Sequence, residues 1–155
     1  MKDISFSSIN EFDKFLKDEK FKNILIICGE KSFKASGADK ILTSLLINKK
    51  VEFYYKKFPY PDLLELKKII EKIKEYSPDL IIAIGGGSVL DYAKIANALT
   101  SSKNIEDEII NSTYKLNNKF TKLLAIPTTA GSGAEVTSNA VIYINKIKYS
   151  VEGDQ

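Results

Sequence analysis

The stretch from Asp79 to Lys94, DLIIAIGGGSVLDYAK, constrains the fold of this chain most. Leu80 to Ile84 form a continuous apolar run rich in β-branched residues, which is typical of a strand buried on both faces of a parallel sheet. Three glycines follow directly (85–87), and Ser88 opens an apolar, alanine-rich segment that predicts a helix. The pattern therefore predicts a strand, a glycine turn and a helix N-terminus.

The glycine turn favours an anion-binding site. Without Cβ atoms, the turn lets a ligand approach the backbone, and the free N–H groups of a helix start attract a phosphate. The alternative is a tight turn that merely needs a positive φ angle. Ser88 and Asp91 match the spacing of a capping box, so Asp91 is interpreted either as a helix cap or as a residue of the site.

Composition narrows the classes of function. The 155 residues predict one domain of ordinary size with a net charge of +3, and none of the basic residues is an arginine. Because arginine is the usual reader of guanine, no nucleic acid is expected as a partner. No apolar run approaches the ~20 residues of a membrane span, so no membrane association is expected either. The single cysteine, Cys28, fits a reducing cytoplasm.

The chain contains no histidine. This excludes a Ser-His-Asp triad and a His-ligated metal within these residues.

Strands and helices alternate along the chain. Strands are predicted at 24–28, 51–55, 80–84 and 123–126, after a short one at 4–6, with a hairpin at 138–144 and 147–151. The strand at 123–126 is predicted to be buried, like that at 80–84. Helices are predicted at 8–20, 39–48, 62–76 and 88–99, the third with a capping box from Asp62 and Glu65, and a short helical piece within 101–119. This order predicts an α/β fold: a mainly parallel, Rossmann-like sheet with helices on both faces and a β-hairpin near the C-terminus.

Three loops then share the C-terminal edge of the sheet. They follow Cys28, Ile84 and Ile126, and two of them consist of Gly, Ser and Thr. Ligands of open parallel sheets bind at this edge, at the point where the strand order reverses. Backbone N–H groups and small hydroxyls suit a pyrophosphate and a ribose, although a strict Gly-x-Gly-x-x-Gly motif is absent.

Two motifs together resemble the iron-dependent (group III) alcohol dehydrogenase family. They are GGGSVLDYAK at 85–94 and IPTTAGSGAEVT at 126–137, and the segment GEKSFKASG at 29–37 is similar to that family's first βα turn. The resemblance implies a cofactor-binding α/β domain over residues 1–155. Its cofactor would be NADP or NAD. The residues it implies for this site are Gly29, Gly85, Gly86, Gly87, Ser88, Asp91, Thr128, Thr129, Ser132 and Lys148.

The family also has a C-terminal helical domain that holds a divalent metal, usually iron, between one Asp and three His. No residue of this chain can be assigned that role, so the metal and an alcohol or aldehyde substrate belong to the full-length enzyme. We expect the chain alone to bind a dinucleotide and to turn over no alcohol. A homo-oligomer is also expected. The alternatives are a nucleotide-binding module without catalysis and the cofactor domain of a dehydroquinate synthase-like lyase.

The first βα turn bears on the choice between NAD and NADP. In many members of the family that it resembles, an Asp closes the first strand and selects NAD through the adenosine ribose. Gly29 stands at that position here, with Lys31 and Lys34 within one turn, which favours acceptance of NADP. If Glu30 points into the site instead, it takes the role of the Asp and favours NAD.

Overall fold

The computed structural model describes residue 6 and residues 8–117 and 121–153. The helices are α1 (Ile9–Asp18), α2 (Glu30–Ala35), α3 (Ala38–Leu45), α4 (Leu63–Tyr76), α5 (Gly87–Ala98) and α6 (Ile105–Ile110). The strands are β1 (Asn23–Cys28), β2 (Lys50–Tyr55), β3 (Leu80–Gly85), β4 (Lys122–Pro127), β5 (Ala140–Ile144) and β6 (Ile147–Val151). The short strand predicted at 4–6 lies outside the described residues except for Phe6.

Four strands form one parallel sheet in the order β2-β1-β3-β4. The chain leaves β1 toward β2 on one side and later enters β3 on the other side. The strand order therefore reverses between β1 and β3, the position at which open α/β sheets bind ligands at the C-terminal edge. This arrangement confirms the predicted Rossmann-like fold.

Helices cover both faces of the sheet. Face A is the side on which α1, α2 and α3 pack against Ile24, Ile26, Cys28, Leu80, Ile82 and Ile84. Face B is the side on which α4, α5, α6 and the hairpin pack against Leu25, Ile27, Ile81 and Ala83. Alternate residues of each strand thus enter separate cores, as the pleat of a strand requires.

The β5–β6 hairpin confirms the predicted antiparallel pair. Its inner residues Ile142 and Ile144 are buried on face B. The Tyr143 backbone N–H donates to the Pro61 carbonyl at 2.8 Å. This bond anchors the hairpin to the segment that opens α4.

Local signals explain where the outer helices begin and end. The Ser8 side chain accepts from the Glu11 N–H at 3.3 Å and thereby caps α1. Asp62 accepts from the Leu64 N–H at 2.8 Å at the start of α4. That helix ends at Ser77, which adopts a left-handed conformation with φ 49° just before Pro78.

Three predictions need correction. Gly86, with no capping side chain, is the N-cap of α5, so the capping box from Ser88 to Asp91 is wrong. The Glu65 carboxylate does not complete a box with Asp62, because it accepts from the Lys57 and Phe58 N–H groups instead. The strand β4 is half-buried rather than buried, since it ends the strand order and pairs on one side only within the described residues.

Helices in the described part of the chain are too short or too polar to cross a membrane.

Candidate functional site

The loops after β1, β3 and β4 meet at the C-terminal edge of the sheet, as predicted. Cys28 lies beside Ile84 in the register of β1 and β3, and Gly85 lies beside Pro127 in that of β3 and β4. The Thr128 N–H donates to the Gly85 carbonyl at 3.0 Å. The loop 128–139, which we call the second loop, is therefore joined directly to the glycine turn.

Close contacts explain why each position of the turn is occupied by glycine. Gly85 has a φ of +156°, and a Cβ there would lie 2.6 Å from the Val89 Cγ2. A Cβ on Gly86 would lie 3.0 Å from the Thr129 Oγ1, and one on Gly87 would lie 3.2 Å from the Ser132 Oγ. Gly86 and Gly87 thus let the second loop come close to the start of α5, a reason that the sequence reading of a ligand site or a tight turn did not include.

The same approach brings hydroxyl groups to the helix N-terminus. Thr129 and Ser132 are exposed, and Thr128 and Ser88 are half-buried. The N–H groups of the first turn of a helix have no acceptor within the helix, and the helix dipole favours an anion there. Free N–H groups beside three or four hydroxyls form a surface that suits a phosphate with attached sugars.

Asp91 lies one turn inside α5 and faces the hairpin. Its side chain is 15% exposed, and its Oδ1 is 3.5 Å from the Lys94 Nζ. Burial raises the pKa of Asp91, while Lys94, a hydrogen bond from the Val141 N–H and the charge of Lys148 oppose the rise. Lys148 itself is exposed on β6. The structure thus brings Asp91 and Lys148 together beside the second loop.

The turn after β1 carries charged side chains beside its glycine. Gly29 is the N-cap of α2, and a Cβ there would lie 2.8 Å from the Ser32 Oγ and 4.0 Å from the Lys56 Cε. Glu30 and Lys34 are exposed and form an ion pair at 3.2 Å. The Lys56 side chain, which follows β2, thus lies beside Gly29, and sequence reasoning missed it because it lies far along the chain.

Lys56 is held in place by its own loop. Its Nζ donates to the Phe58 carbonyl at 2.7 Å. Burial lowers the pKa of Lys56, and the charge of Glu65 opposes this.

A buried network on face B supports that loop. The Glu65 carboxylate accepts from the Lys57 N–H at 2.5 Å, the Phe58 N–H at 3.0 Å and the Tyr92 hydroxyl at 3.0 Å. The Tyr92 hydroxyl in turn accepts from the Asp62 N–H at 2.6 Å. Sequence reasoning assigned Glu65 to a cap and missed Tyr92, since a polar group's partner on another helix leaves no local signal.

Metal ligands are not assembled here. The described residues contain no group of three or more His, Cys, Asp or Glu side chains that could hold a metal ion. The whole sequence has no histidine.

Comparison with known proteins agrees with this geometry. The family model described as iron-containing alcohol dehydrogenase matches residues 4–155. The NADPH-dependent butanol dehydrogenase of Clostridium saccharobutylicum is 35% identical over 141 residues, which is 86% of this chain and 36% of that protein.

Solved structures share the fold. An iron-containing alcohol dehydrogenase of Thermotoga maritima has a TM-score of 0.76 at 28% identity, covering 93% of this chain and 41% of the other. The NADH-dependent butanol dehydrogenase A of the same organism has a TM-score of 0.81 at 24% identity, covering 99% and 42%. The chain thus spans about two fifths of the length of these relatives. With the family match over nearly the whole sequence, this chain belongs to the iron-containing alcohol dehydrogenase family.

Proposed function

We propose that this chain binds a nicotinamide dinucleotide at the edge between β1 and β3, as the cofactor-binding part of an NAD(P)-dependent, metal-assisted alcohol dehydrogenase. One observation carries the proposal. Thr129 and Ser132 stand within about van der Waals distance of Gly86 and Gly87, at the first turn of α5. A pyrophosphate fits there because the N–H groups of a helix start and side-chain hydroxyls converge.

Each part of the dinucleotide has residues suited to it. Gly85, Gly86, Gly87 and Ser88 bind the pyrophosphate. Thr128, Thr129 and Ser132 line the pyrophosphate, the ribose and the nicotinamide side. Lys148 reaches a ribose hydroxyl, Asp91 lies toward the nicotinamide, and Gly29 adjoins the adenosine ribose.

Catalysis needs more than these residues. The bound nicotinamide supplies the hydride exchange with an alcohol or aldehyde. This chain's own residues bind and orient the dinucleotide. They do not fit a catalytic metal, because no histidine is present and the described acidic residues are not clustered. The expectations of a cytoplasmic location and a homo-oligomer stay predictions.

Titration of the purified protein tests this proposal. At a fixed concentration of NADH or NADPH, the nicotinamide fluorescence should increase when the protein is added. With NAD or NADP and iron or zinc present, no alcohol should be oxidised. Failure of both nucleotides to bind would contradict the proposed function. Turnover of alcohol by this chain would contradict the assignment of the metal chemistry to other residues.

The choice of cofactor follows from the turn after β1. Gly29 offers no carboxylate to repel a 2′-phosphate, and Glu30 is exposed with its charge paired to Lys34. Lys56 places a cation beside Gly29. These contacts favour acceptance of NADP, and an exposed pair of this kind contributes about 0–1 kcal/mol.

The two affinities, measured side by side at low salt, decide the choice. Lys56→Met should weaken the binding of NADP and leave the affinity for NAD unchanged. Lys57→Met, a substitution at an exposed neighbouring position, should change neither affinity. A preference for NAD above about tenfold, which is ~1.4 kcal/mol, would show that Glu30 governs the site.

A further inference from the structure

Lys94 is one of three buried polar or charged residues among the described ones, with 7% of its surface exposed. It lies on α5, about two turns beyond the glycine turn. A buried ammonium is costly unless hydrogen bonds and an opposite charge replace its water. Its partners therefore indicate why it is there.

Those partners belong almost entirely to the second loop. The Nζ donates to the carbonyls of Asn139 at 2.6 Å, Ala134 at 2.9 Å and Thr137 at 3.2 Å. It also lies 3.3 Å from the Thr137 Oγ1. Asp91, at 3.5 Å, supplies the opposite charge from the same helix.

The segment 134–139 has little regular structure of its own. Its backbone hydrogen bonds join residues close in sequence: the Val136 N–H, for example, donates to the Gly133 carbonyl at 3.1 Å. Carbonyl groups that converge on one cation are held together by it, so removal of the cation takes a charged donor away from all three.

The start of the second loop carries the hydroxyls of the candidate site. Thr129 and Ser132 contact Gly86 and Gly87 at the first turn of α5, and Lys94 holds the later part of the loop two turns further along. The loop is thus fixed to one helix at both ends.

We infer that Lys94 is a positioning residue for the dinucleotide: by gathering the Ala134, Thr137 and Asn139 carbonyls, it sets where Thr129 and Ser132 stand over the glycine turn. The inference rests on the proposed function. Lys94 touches no ligand in this scheme, so its effect reaches the dinucleotide only through the loop.

The test compares Lys94→Met with Lys67→Met, a control on the same face whose partner is the half-exposed Glu106. Two ligands are titrated, NADPH and 2′-AMP, because 2′-AMP lacks both the pyrophosphate and the nicotinamide half that the second loop lines. Lys94→Met should raise the Kd for NADPH at least about tenfold and that for 2′-AMP less than about threefold. The control should change neither value.

Hydrogen exchange provides a second readout that does not depend on binding. Amides of 128–139 should exchange faster in Lys94→Met, while those of β1 and β3 stay protected. If Lys94→Met does not fold, Lys94→Gln, which keeps two N–H donors, takes its place with the same readouts.

Two results would overturn the inference. An equal loss of affinity for both ligands would show a general effect on the fold, and unchanged exchange in 128–139 would show that Lys94 does not hold the loop. If the unmodified protein binds neither NADPH nor NADH, the proposed function fails, and the exchange measurement alone decides whether Lys94 positions the loop.

Discussion

The two faces of the sheet are packed by different means. On face A the buried side chains are apolar, with Cys28 the least so. Face B holds the three buried polar or charged side chains found in the described residues, which are Glu65, Lys94 and Asn97. All three hydrogen-bond to backbone groups: Glu65 at 57–58, Lys94 at 134–139 and Asn97 at Thr121.

This contrast matters because apolar packing and buried hydrogen bonds act differently on the backbone. Apolar packing excludes water but is not directional, so it stabilises a sheet without placing a loop accurately. Hydrogen bonds from buried side chains are directional, and those of Glu65 and Lys94 fix irregular backbone next to the C-terminal edge. Face A thus contributes mainly stability, while face B also shapes the candidate site. The predictions below test that division.

The largest effect is expected from Ile26→Ala on face A. Ile26 is 1% exposed, and loss of a buried isoleucine side chain should destabilise the protein by about 2–5 kcal/mol. Urea denaturation measures this loss. The Kd for NADPH of the folded variant should stay unchanged, and a large change in Kd would contradict the division between the faces.

On face B, Glu65→Leu should cost about 2 kcal/mol, because two backbone N–H groups and the Tyr92 hydroxyl lose their charged acceptor. In contrast to Ile26→Ala, it should also speed amide exchange at 57–58. Glu71→Leu, on an exposed position of the same helix, serves as the control. Equal exchange in both variants would show that Glu65 is not needed to hold this loop.

Gly86→Val should act on binding more than on folding. A branched side chain there meets the Thr129 Oγ1 and covers the approach to the backbone. We expect the Kd for NADPH to rise more than about tenfold, ~1.4 kcal/mol, with a smaller change in unfolding free energy. An unchanged Kd would mean that the glycine turn serves only the contact between the loops.

The smallest effect concerns the pH dependence of face A. Burial raises the pKa of Cys28 to about 12 from 9.0, with Glu30 adding to the rise. Above pH 9 the folded state therefore keeps a proton that the unfolded chain loses. Stability is fully present below pH 9 and falls as the pH rises toward 12, by less than about 1 kcal/mol at pH 9.5.

Denaturation at pH 8 and pH 9.5 checks this, with Cys28→Ala as the variant that should show a smaller loss. A thiol-specific reagent should also leave Cys28 unmodified in the folded protein at pH 8. Rapid modification under native conditions would contradict the burial of this thiol.

Sequence alone predicted the parallel sheet and the shared edge of the three loops. Apolar runs such as 80–84 report burial directly, and parallel strands bring their C-terminal ends together whatever their order. The burial of β4 was predicted wrongly because it depends on strand order, which no local pattern contains. The capping boxes of Glu65 and Asp91 were predicted wrongly because spacing alone suggested them, whereas Glu65 bonds to residues 57–58 and Asp91 pairs with Lys94.

The spacing between the glycine turn and Lys94 has a consequence for insertions and deletions. Gly87 and Lys94 are seven residues apart, so in an α-helix they lie within about 20° of one another around the axis and ~10 Å apart along it. The helix thus fixes both the angle and the distance between these two residues. Deleting one residue between them would rotate Lys94 by about 100° away from the second loop, whereas substitutions that keep the number of residues would leave Lys94 in place.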